Sequence, residues 1–117
     1  MIAASALLRV TDEDLGEVTG AERGVLVLAK SDCGYCAAYQ RDLEGLLARG
    51  KLAAVAIGKL VLDQRGALQF KRANPWLAAL EFLPYTLLYR GGERVDGFGS
   101  SKSSYLLERV EDAFGAA

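Results

Sequence analysis

A continuous apolar run at residues 24–30, GVLVLAK, most strongly limits how this chain can fold. It contains β-branched residues and no charge before its last position, as expected of a β-strand that is buried on both faces. A strand of this kind belongs in the middle of a sheet that helices cover on both sides. The run therefore favours an α/β fold built on a central sheet.

The rest of the chain alternates between strand-like and helix-like segments around this run. The predicted strands lie at 7–10, 24–30 and 52–63 and in a hairpin at 84–98, and the predicted helices lie at 11–20 and 33–50, twice within 66–82, and at 101–115. The order β-α-β-α-β-α-β-β-α predicts parallel strands with right-handed crossovers and an antiparallel edge at the hairpin. At 117 residues, the chain is expected to form one domain.

Local signals mark where three of these helices begin. Thr11 and Asp14 have the spacing of a capping box at the start of the first helix. Asn74-Pro75 separates two short helices, because Asn can cap a helix and Pro can occupy its first position. Ser101 or Ser103 is the expected cap of the last helix.

The two cysteines lie in one short stretch, SDCGYC at residues 31–36, between the buried strand and the next helix. This junction puts Cys33 at a helix N-terminus, where free amide hydrogens and the helix macrodipole favour the thiolate. Cys36 falls one turn later on the apolar stripe that includes Tyr39 and Leu43, so it is expected to face inward and stay protonated until needed.

This difference between the two thiols predicts thiol–disulfide exchange. Cys33 would attack a substrate disulfide, and Cys36 would resolve the mixed disulfide that forms. Gly34 and Tyr35 would let the loop close the small ring and would supply an aromatic wall. Two structural cysteines at chance spacing are the competing interpretation.

Two charged residues beside the cysteines are possible modulators of the reaction. Asp32 adjoins Cys33 and would oppose its thiolate. Lys30, three residues earlier, would act in the opposite direction. Which of them dominates depends on the directions of their side chains.

Composition excludes several classes of function. The sequence has no histidine, which removes Cys–His pairs, Ser–His–Asp triads and histidine-bound metals. Two cysteines are too few for a four-ligand metal or cluster site within one chain, so we expect no metal and no cofactor. A net charge of −1 favours neither nucleic acid nor acidic lipid as a partner.

The location of the protein is predicted from what the sequence lacks. No stretch approaches the ~20 apolar residues of a membrane span, so we expect no membrane association. The N-terminal segment MIAASALLRV has no basic n-region, so we do not expect it to be a secretion signal. We therefore expect the reducing cytoplasm, where a close cysteine pair is more often catalytic or metal-binding than structural.

Three motifs together resemble the thioredoxin family over nearly the whole chain: CGYC at 33–36, KLVLDQ at 59–64 and FLPYTLLYRGGE at 82–93. The resemblance implies a central mixed β-sheet flanked by helices. It also implies that Pro84 is the cis-proline packed against the cysteines, and that Leu83 offers its backbone to an extended substrate segment.

The function implied by this resemblance is oxidoreductase activity on protein or small-molecule disulfides, with a role in cell redox homeostasis. The electron donor would be a reductase or glutathione, and the protein is expected to be a monomer. Whether it acts as reductant, oxidant or isomerase stays open at this point.

The active-site motif and the residues beneath it depart from the family pattern. DCGYC, at 32–36, stands where the family usually has WCGPC. Val27 occupies the place of the buried aspartate that assists the resolving cysteine. Lys59, the counterpart of that aspartate's lysine partner, therefore either lacks its usual partner or is turned to solvent. It is a third possible modulator, since proton transfer to and from Cys36 must use water, Lys59 or another group.

A longer segment between Asp63 and Pro84 is the other departure. Trp76 and Phe82 lie in it, and their helical spacing predicts core positions for both.

Three alternative functions stay open. Lys30 and Tyr35 are also reminiscent of glutaredoxins, so glutathione-dependent activity is one alternative. An iron–sulfur cluster bridging two chains, with one CxxC from each, is the second. The third is a binding module that holds a partner in the groove beside Pro84.

Overall fold

A five-stranded mixed sheet forms the centre of the structure, a computed structural model that describes residues 7–115. The strands are β1 Arg9–Val10, β2 Gly24–Ala29, β3 Ala56–Val61, β4 Tyr85–Arg90 and β5 Glu93–Gly99. The helices are α1 Gly16–Thr19, α2 Gly34–Ala48, α3 Leu68–Ala73 and α4 Ser103–Phe114, with 3₁₀ turns at Arg65–Ala67 and Pro75–Ala79. The predicted order of strands and helices is confirmed.

The strands lie across the sheet in the order β1-β3-β2-β4-β5. β1 and β2 both pair with β3 in parallel, whereas β4 runs antiparallel to β2 and forms a hairpin with β5. The turn of this hairpin is Gly91-Gly92, where φ angles of 58° and 89° suit glycine. The predicted parallel front and antiparallel hairpin are therefore confirmed.

β2 is the central strand, and all six of its residues are buried. Its alternating side chains enter two separate cores because successive residues of a strand point to opposite faces. Val25 and Val27 join the core under α2 and α4, whereas Leu26 and Leu28 join the core that contains Val18 of α1. The sheet thus has helices on both faces, as the apolar run at 24–30 predicts.

The first helix is shorter than predicted. The Thr11 amide does donate to Asp14 Oδ1 at 2.6 Å, as in a capping box, but the α-helix begins only at Gly16. Asp12 explains the difference, since its backbone amide donates to the Gly66 carbonyl at 2.6 Å. This long-range bond ties the first turn to another part of the chain, and residues 12–15 form a turn instead.

The predicted strand at 52–63 is also too long. β3 covers only Ala56–Val61, and residues 51–54 form a turn after α2. Leu52 is buried there, so its apolar character reflects a core contact and not strand structure.

The segment between β3 and β4 is helical on both sides of Asn74, as predicted, but the part after Asn74 is a 3₁₀ turn, and a further 3₁₀ turn leads directly into α3. Pro75 occupies its first position, as expected. Asn74 makes no capping bond; its side chain donates to the Phe70 carbonyl at 2.9 Å and accepts from Trp76 Nε1 at 3.2 Å.

The prediction that Ser101 or Ser103 caps the last helix is wrong. The N-cap position belongs to Lys102, and it makes no side-chain capping bond. Ser100 supplies the nearby hydroxyl instead, since its Oγ accepts from the Lys102 amide at 3.1 Å. Within residues 7–115, none of the helices is long and apolar enough to cross a membrane.

Candidate active site

A disulfide joins Cys33 and Cys36 at the N-terminus of α2. Cys33 is the N-cap residue, with an extended backbone, and its Sγ accepts a hydrogen bond from the Cys36 amide at 3.1 Å. A sulfur in this position replaces the oxygen of an ordinary N-cap side chain. Cys33 Sγ therefore caps α2 by accepting from the Cys36 amide.

The two cysteines differ in exposure. Cys33 is half-buried, whereas Cys36 is 7% exposed and packs on the inner side of α2, as its helical spacing predicts. An incoming group can therefore reach Cys33 but not Cys36.

The loop between β2 and α2 is fixed to the end of β3. Ser31 donates to the Asp63 carboxylate through its amide at 3.1 Å and through its hydroxyl at 2.6 Å. These bonds, the hydroxyl first, lower the pKa of Asp63, and the charge of Lys30 makes a smaller contribution. The arrangement holds the cysteine loop against the carboxyl ends of the parallel strands.

The chain approaches the disulfide a second time just before β4. The Leu83–Pro84 peptide bond is cis, and the Leu83 carbonyl oxygen lies 3.9 Å from Cys33 Sγ. Pro84 itself is buried, while Leu83 is half-buried. Leu83 is thus the residue whose backbone comes near Cys33.

A groove of about 880 Å³ runs from Cys33 along the segment before β4. Gly34 and Tyr35 line one side, and Phe82 and Leu83 line the other. The rings of Tyr35 and Phe82 stand 6.0 Å apart, and these side chains are 65% and 41% exposed. The groove thus joins Cys33 to an exposed aromatic pair.

Phe82 is therefore not a core residue, contrary to the sequence-based prediction. Its helical spacing is misleading because residues 81–84 form no helix. Trp76 does pack against a core, beside Tyr85 at a ring-centroid distance of 5.9 Å, and Arg94 lies over its ring.

Two of the three predicted charged modulators, Lys30 and Asp32, are exposed and line this groove with Cys33. Lys71 and Glu81 add one charge of each sign to the same lining. The groove thus presents both signs of charge around an apolar interior.

No family model matches this sequence, and no curated protein matches it significantly. Solved structures do match. A mutant thioredoxin from Halobacterium salinarum aligns with a TM-score of 0.74 at 18% sequence identity, over 97% of this chain and 96% of that one. Thioredoxin from Trypanosoma brucei brucei aligns with a TM-score of 0.75 at 15% identity, over 97% of this chain and 95% of that one.

The long form of thioredoxin f from spinach chloroplast aligns with a TM-score of 0.66 at 22% identity, over 94% of this chain and 88% of that one. The chain has the thioredoxin fold. The mixed sheet flanked by helices, predicted from the sequence, is confirmed.

Beneath the disulfide, this thioredoxin fold contains a second, smaller cavity of about 250 Å³. Cys33, Cys36, Gln40, Lys59 and Gln64 all line it. The Lys59 ammonium donates to Gln40 Oε1 at 2.5 Å, and Lys59 is half-buried, so it is not turned to solvent. Among the described residues it has no carboxylate partner, as Val27 leads one to expect, and it bonds to an amide oxygen instead.

Val27 lies beside Lys59 in the paired strands and is 2% exposed. Its other neighbour across the sheet is Thr86, whose hydroxyl is 3.1 Å from the Tyr39 hydroxyl inside the core. Burial raises the pKa of Tyr39 to about 12, and the Thr86 bond offsets this rise in part. At this position of the thioredoxin fold, the chain therefore has an apolar side chain next to a neutral hydroxyl pair.

Sequence reasoning missed Gln40, Gln64 and Phe82. Gln40 follows Cys36 by four residues and so lies on the same side of α2, a signal that was present in the sequence. Gln64 and Phe82 lie in loops, where no periodicity shows direction. Across residues 7–115, no cluster of three or more His, Cys, Asp or Glu side chains could hold a metal ion.

Proposed function

We propose that this chain is a thiol–disulfide oxidoreductase of the thioredoxin family, with Cys33 as nucleophile and Cys36 as resolving thiol. One observation carries the proposal: a Cys33–Cys36 disulfide at the start of α2, with only Cys33 open to a groove. The thioredoxin fold supports it, since the pair lies at the end of a buried strand of that fold.

The reaction begins with the reduced pair. The Cys33 thiolate attacks one sulfur of the substrate disulfide, whose S–S bond breaks as a bond to Cys33 forms. The first substrate thiolate leaves and takes a proton from solvent. Cys36 then attacks Cys33 Sγ in its thiolate form, which releases the second substrate thiolate and restores the disulfide. Two electrons have moved from the protein to the substrate.

The local geometry supports this division of roles. The Cys36 amide already points at Cys33 Sγ at 3.1 Å, and the N-terminus of a 15-residue helix adds its macrodipole. Both features stabilise negative charge on Cys33, and the thiolate is the reactive form. Cys36 lies within reach of Cys33 but is buried, so it reacts with a mixed disulfide on Cys33 and not with a free substrate.

The groove supports protein disulfides as substrates. An extended segment lying in it would pair with the Leu83 backbone, with Pro84 fixing the turn behind it. Gly34 leaves room at the helix start, and Tyr35 with Phe82 provides an apolar contact beside the reacting sulfur. We place this activity in a single-domain monomer in the cytoplasm, with a reductase or glutathione returning the electrons.

A reductase assay tests the proposal. Wild-type protein is expected to accelerate the reduction of a disulfide-bonded model protein by dithiothreitol and to alternate between disulfide and dithiol forms. A Cys33→Ser variant, checked for native structure by circular dichroism, is expected to lose the acceleration. A wild-type rate equal to that of dithiothreitol alone would overturn the proposal.

A further inference from the structure

The cavity beneath the disulfide has an unusual distribution of charge. Arg9, Lys30 and Lys59 contribute three cations to its lining, and no carboxylate of the described residues lines it. They come from three places: β1, the end of β2 and β3. Cys36 is therefore buried beside a cavity of one sign of charge.

Lys59 is held in this position by a chain of hydrogen bonds. Gln40 Nε2 donates to Glu44 Oε2 at 3.3 Å, which leaves the amide oxygen of Gln40 to accept from Lys59 Nζ at 2.5 Å. Glu44 Oε2 also accepts from the Leu7 amide at 3.0 Å. The Glu44 carboxylate thus orients the ammonium through Gln40 without lining the cavity.

Nothing on the neighbouring strand neutralises that ammonium. Val27 is beside Lys59 in the sheet and is apolar. Asp32 and Asp63 line the groove and not this cavity, and the Asp63 carboxylate is occupied by Ser31. The charged groups that face Cys36 through the cavity are therefore cations.

The cavity also offers a route for a proton. Arg9 and Lys30 are exposed, so the cavity reaches from buried Cys36 to the surface. Gln64 lines it as well, and its buried Oε1 has no hydrogen-bond partner among the described residues. A polar space of this size, with an unused acceptor, suits bound water.

We propose that this cation-lined cavity stabilises the Cys36 thiolate and so shifts the pair toward the dithiol form, which a simple monothiol such as glutathione can then maintain. The inference rests on the proposed function and selects glutathione from the two electron donors named there. Opposite charge favours the ionised form of a thiol, and stabilising the reduced form raises the reduction potential.

The reaction with glutathione balances as follows. Two glutathione thiols give two electrons to the Cys33–Cys36 disulfide, whose bond breaks, and one glutathione disulfide forms. Glutathione releases two protons to solvent, and Cys36 leaves the broken disulfide as a thiolate; when Cys36 stays ionised, the proton that it would have bound stays in solvent. The dithiol form is thereby favoured over the disulfide.

Equilibration with glutathione tests the proposal. Wild-type protein and a Lys59→Met variant are incubated at pH 7 in buffers with varied concentrations of glutathione and glutathione disulfide. The free thiols are then alkylated, and the fraction of protein in the dithiol form is measured by intact mass spectrometry. The variant is expected to need a ratio [GSH]²/[GSSG] about tenfold higher for half-reduction, equivalent to about 30 mV. Lys59→Arg is expected to stay near wild type because it keeps the charge.

Two further variants give the comparison its controls. Arg9→Met removes an exposed cation of the cavity lining, so the variant is expected to fold normally. It is expected to shift the midpoint of the glutathione titration in the same direction as Lys59→Met, by a smaller factor. Lys51→Met removes an exposed lysine that does not line this cavity, and it is expected to leave the midpoint unchanged.

A second readout separates charge from structural support. In a Cys33→Ser background, absorbance at 240 nm, corrected with a Cys33→Ser/Cys36→Ser variant that has the same tyrosines, follows the ionisation of Cys36, and Lys59→Met is expected to move this ionisation to higher pH. Unshifted midpoints for both Lys59→Met and Arg9→Met, or equal shifts for Lys59→Met and Lys59→Arg, would overturn the inference. A wild-type protein inactive in the reductase assay would instead contradict the proposed function.

Discussion

At the scale of single residues, Tyr39 and Thr86 join α2 to β4 through a hydrogen bond within the core. Both side chains are fully buried, and their hydroxyl oxygens are 3.1 Å apart. Tyr39→Phe removes one partner and leaves the Thr86 hydroxyl buried without a bond. Urea unfolding is expected to show a loss of about 1–3 kcal/mol in the free energy of unfolding.

The double variant Tyr39→Phe/Thr86→Val is the control for that prediction. It replaces both hydroxyls by apolar groups of similar shape, which removes the unpaired polar atom. Its free energy of unfolding is expected to lie above that of Tyr39→Phe alone. Additive losses in the two single variants and the double variant would contradict the coupling.

The same tyrosine predicts a dependence of stability on alkaline pH. The pKa of Tyr39 rises from 10.0 to about 12 in the folded state because burial disfavours the phenolate. The folded state holds this proton more tightly, so the contribution is complete below pH 10 and is lost between pH 10 and 12. The shift corresponds to roughly 2–3 kcal/mol.

Unfolding free energies measured from pH 8 to 11.5 test this sign. Wild type is expected to lose more stability across that range than Tyr39→Phe, which lacks the ionising group. The other tyrosines, including Tyr89 with its raised pKa, are present in both proteins and cancel in the difference. Parallel pH profiles would show that Tyr39 has no role in the decline.

At the scale of elements, Asp12 connects the turn after β1 to the start of α3. Its carboxylate accepts from the Gln69 amide at 2.9 Å and the Phe70 amide at 3.0 Å, so it caps a helix 57 residues away. Asp12→Ala is expected to lower the free energy of unfolding by about 1 kcal/mol. Amide hydrogen exchange should quicken at Gln69 and Phe70, which lie in the segment that borders the groove.

Asp12→Asn is the matched control, since its single amide oxygen can accept from one of the two backbone amides that the two carboxylate oxygens bind in the wild type. It is expected to keep part of the stability and the slow exchange of one of the two amides. Equal effects of Asn and Ala at this position would contradict a capping role.

This cap also shows which elements the sequence could predict. The Thr11–Asp14 bond is predictable because its partners are three residues apart, and it is present. The Asp12 cap is not predictable, because its partners are distant in sequence. The predicted lengths of α1 and β3 are too long for the same reason. A tertiary hydrogen bond of Asp12 prevents the early start of α1, and Leu52 is apolar because it contacts the core and not because it lies in a strand.

At the scale of the whole molecule, the fold brings residues from two distant loops to one groove. The Tyr35–Phe82 pair borders it, and both rings are exposed. Removing either ring with Tyr35→Ala or Phe82→Ala is expected to raise KM for a peptide disulfide with an apolar residue beside its cysteine by roughly threefold to tenfold. The value of kcat should change little, because neither ring touches the sulfur–sulfur bond.

Val95→Ala is the control for this prediction, since Val95 is an exposed apolar residue that does not line the groove. It is expected to leave KM unchanged. A KM effect at Val95 equal to those at Tyr35 and Phe82 would contradict a contact specific to the groove.

The sequence predicted the core of the site but not its surroundings. The positions of Cys33 and Cys36 followed from a strand boundary and helical spacing, which are local properties. The groove and the cation-lined cavity depend on which loops and strands meet in space. Lys59 illustrates the limit, because its partner Gln40 lies on a helix 19 residues earlier.

Trapping of mixed disulfides tests the central claim, that Cys33 attacks and Cys36 resolves. Reduced Cys36→Ser is expected to form a covalent adduct with a disulfide substrate through Cys33, visible by intact mass spectrometry and released by dithiothreitol. Reduced Cys33→Ser is expected to accumulate little adduct, because Cys36 is buried. Equal adduct formation by the two variants, or none by either, would contradict the account.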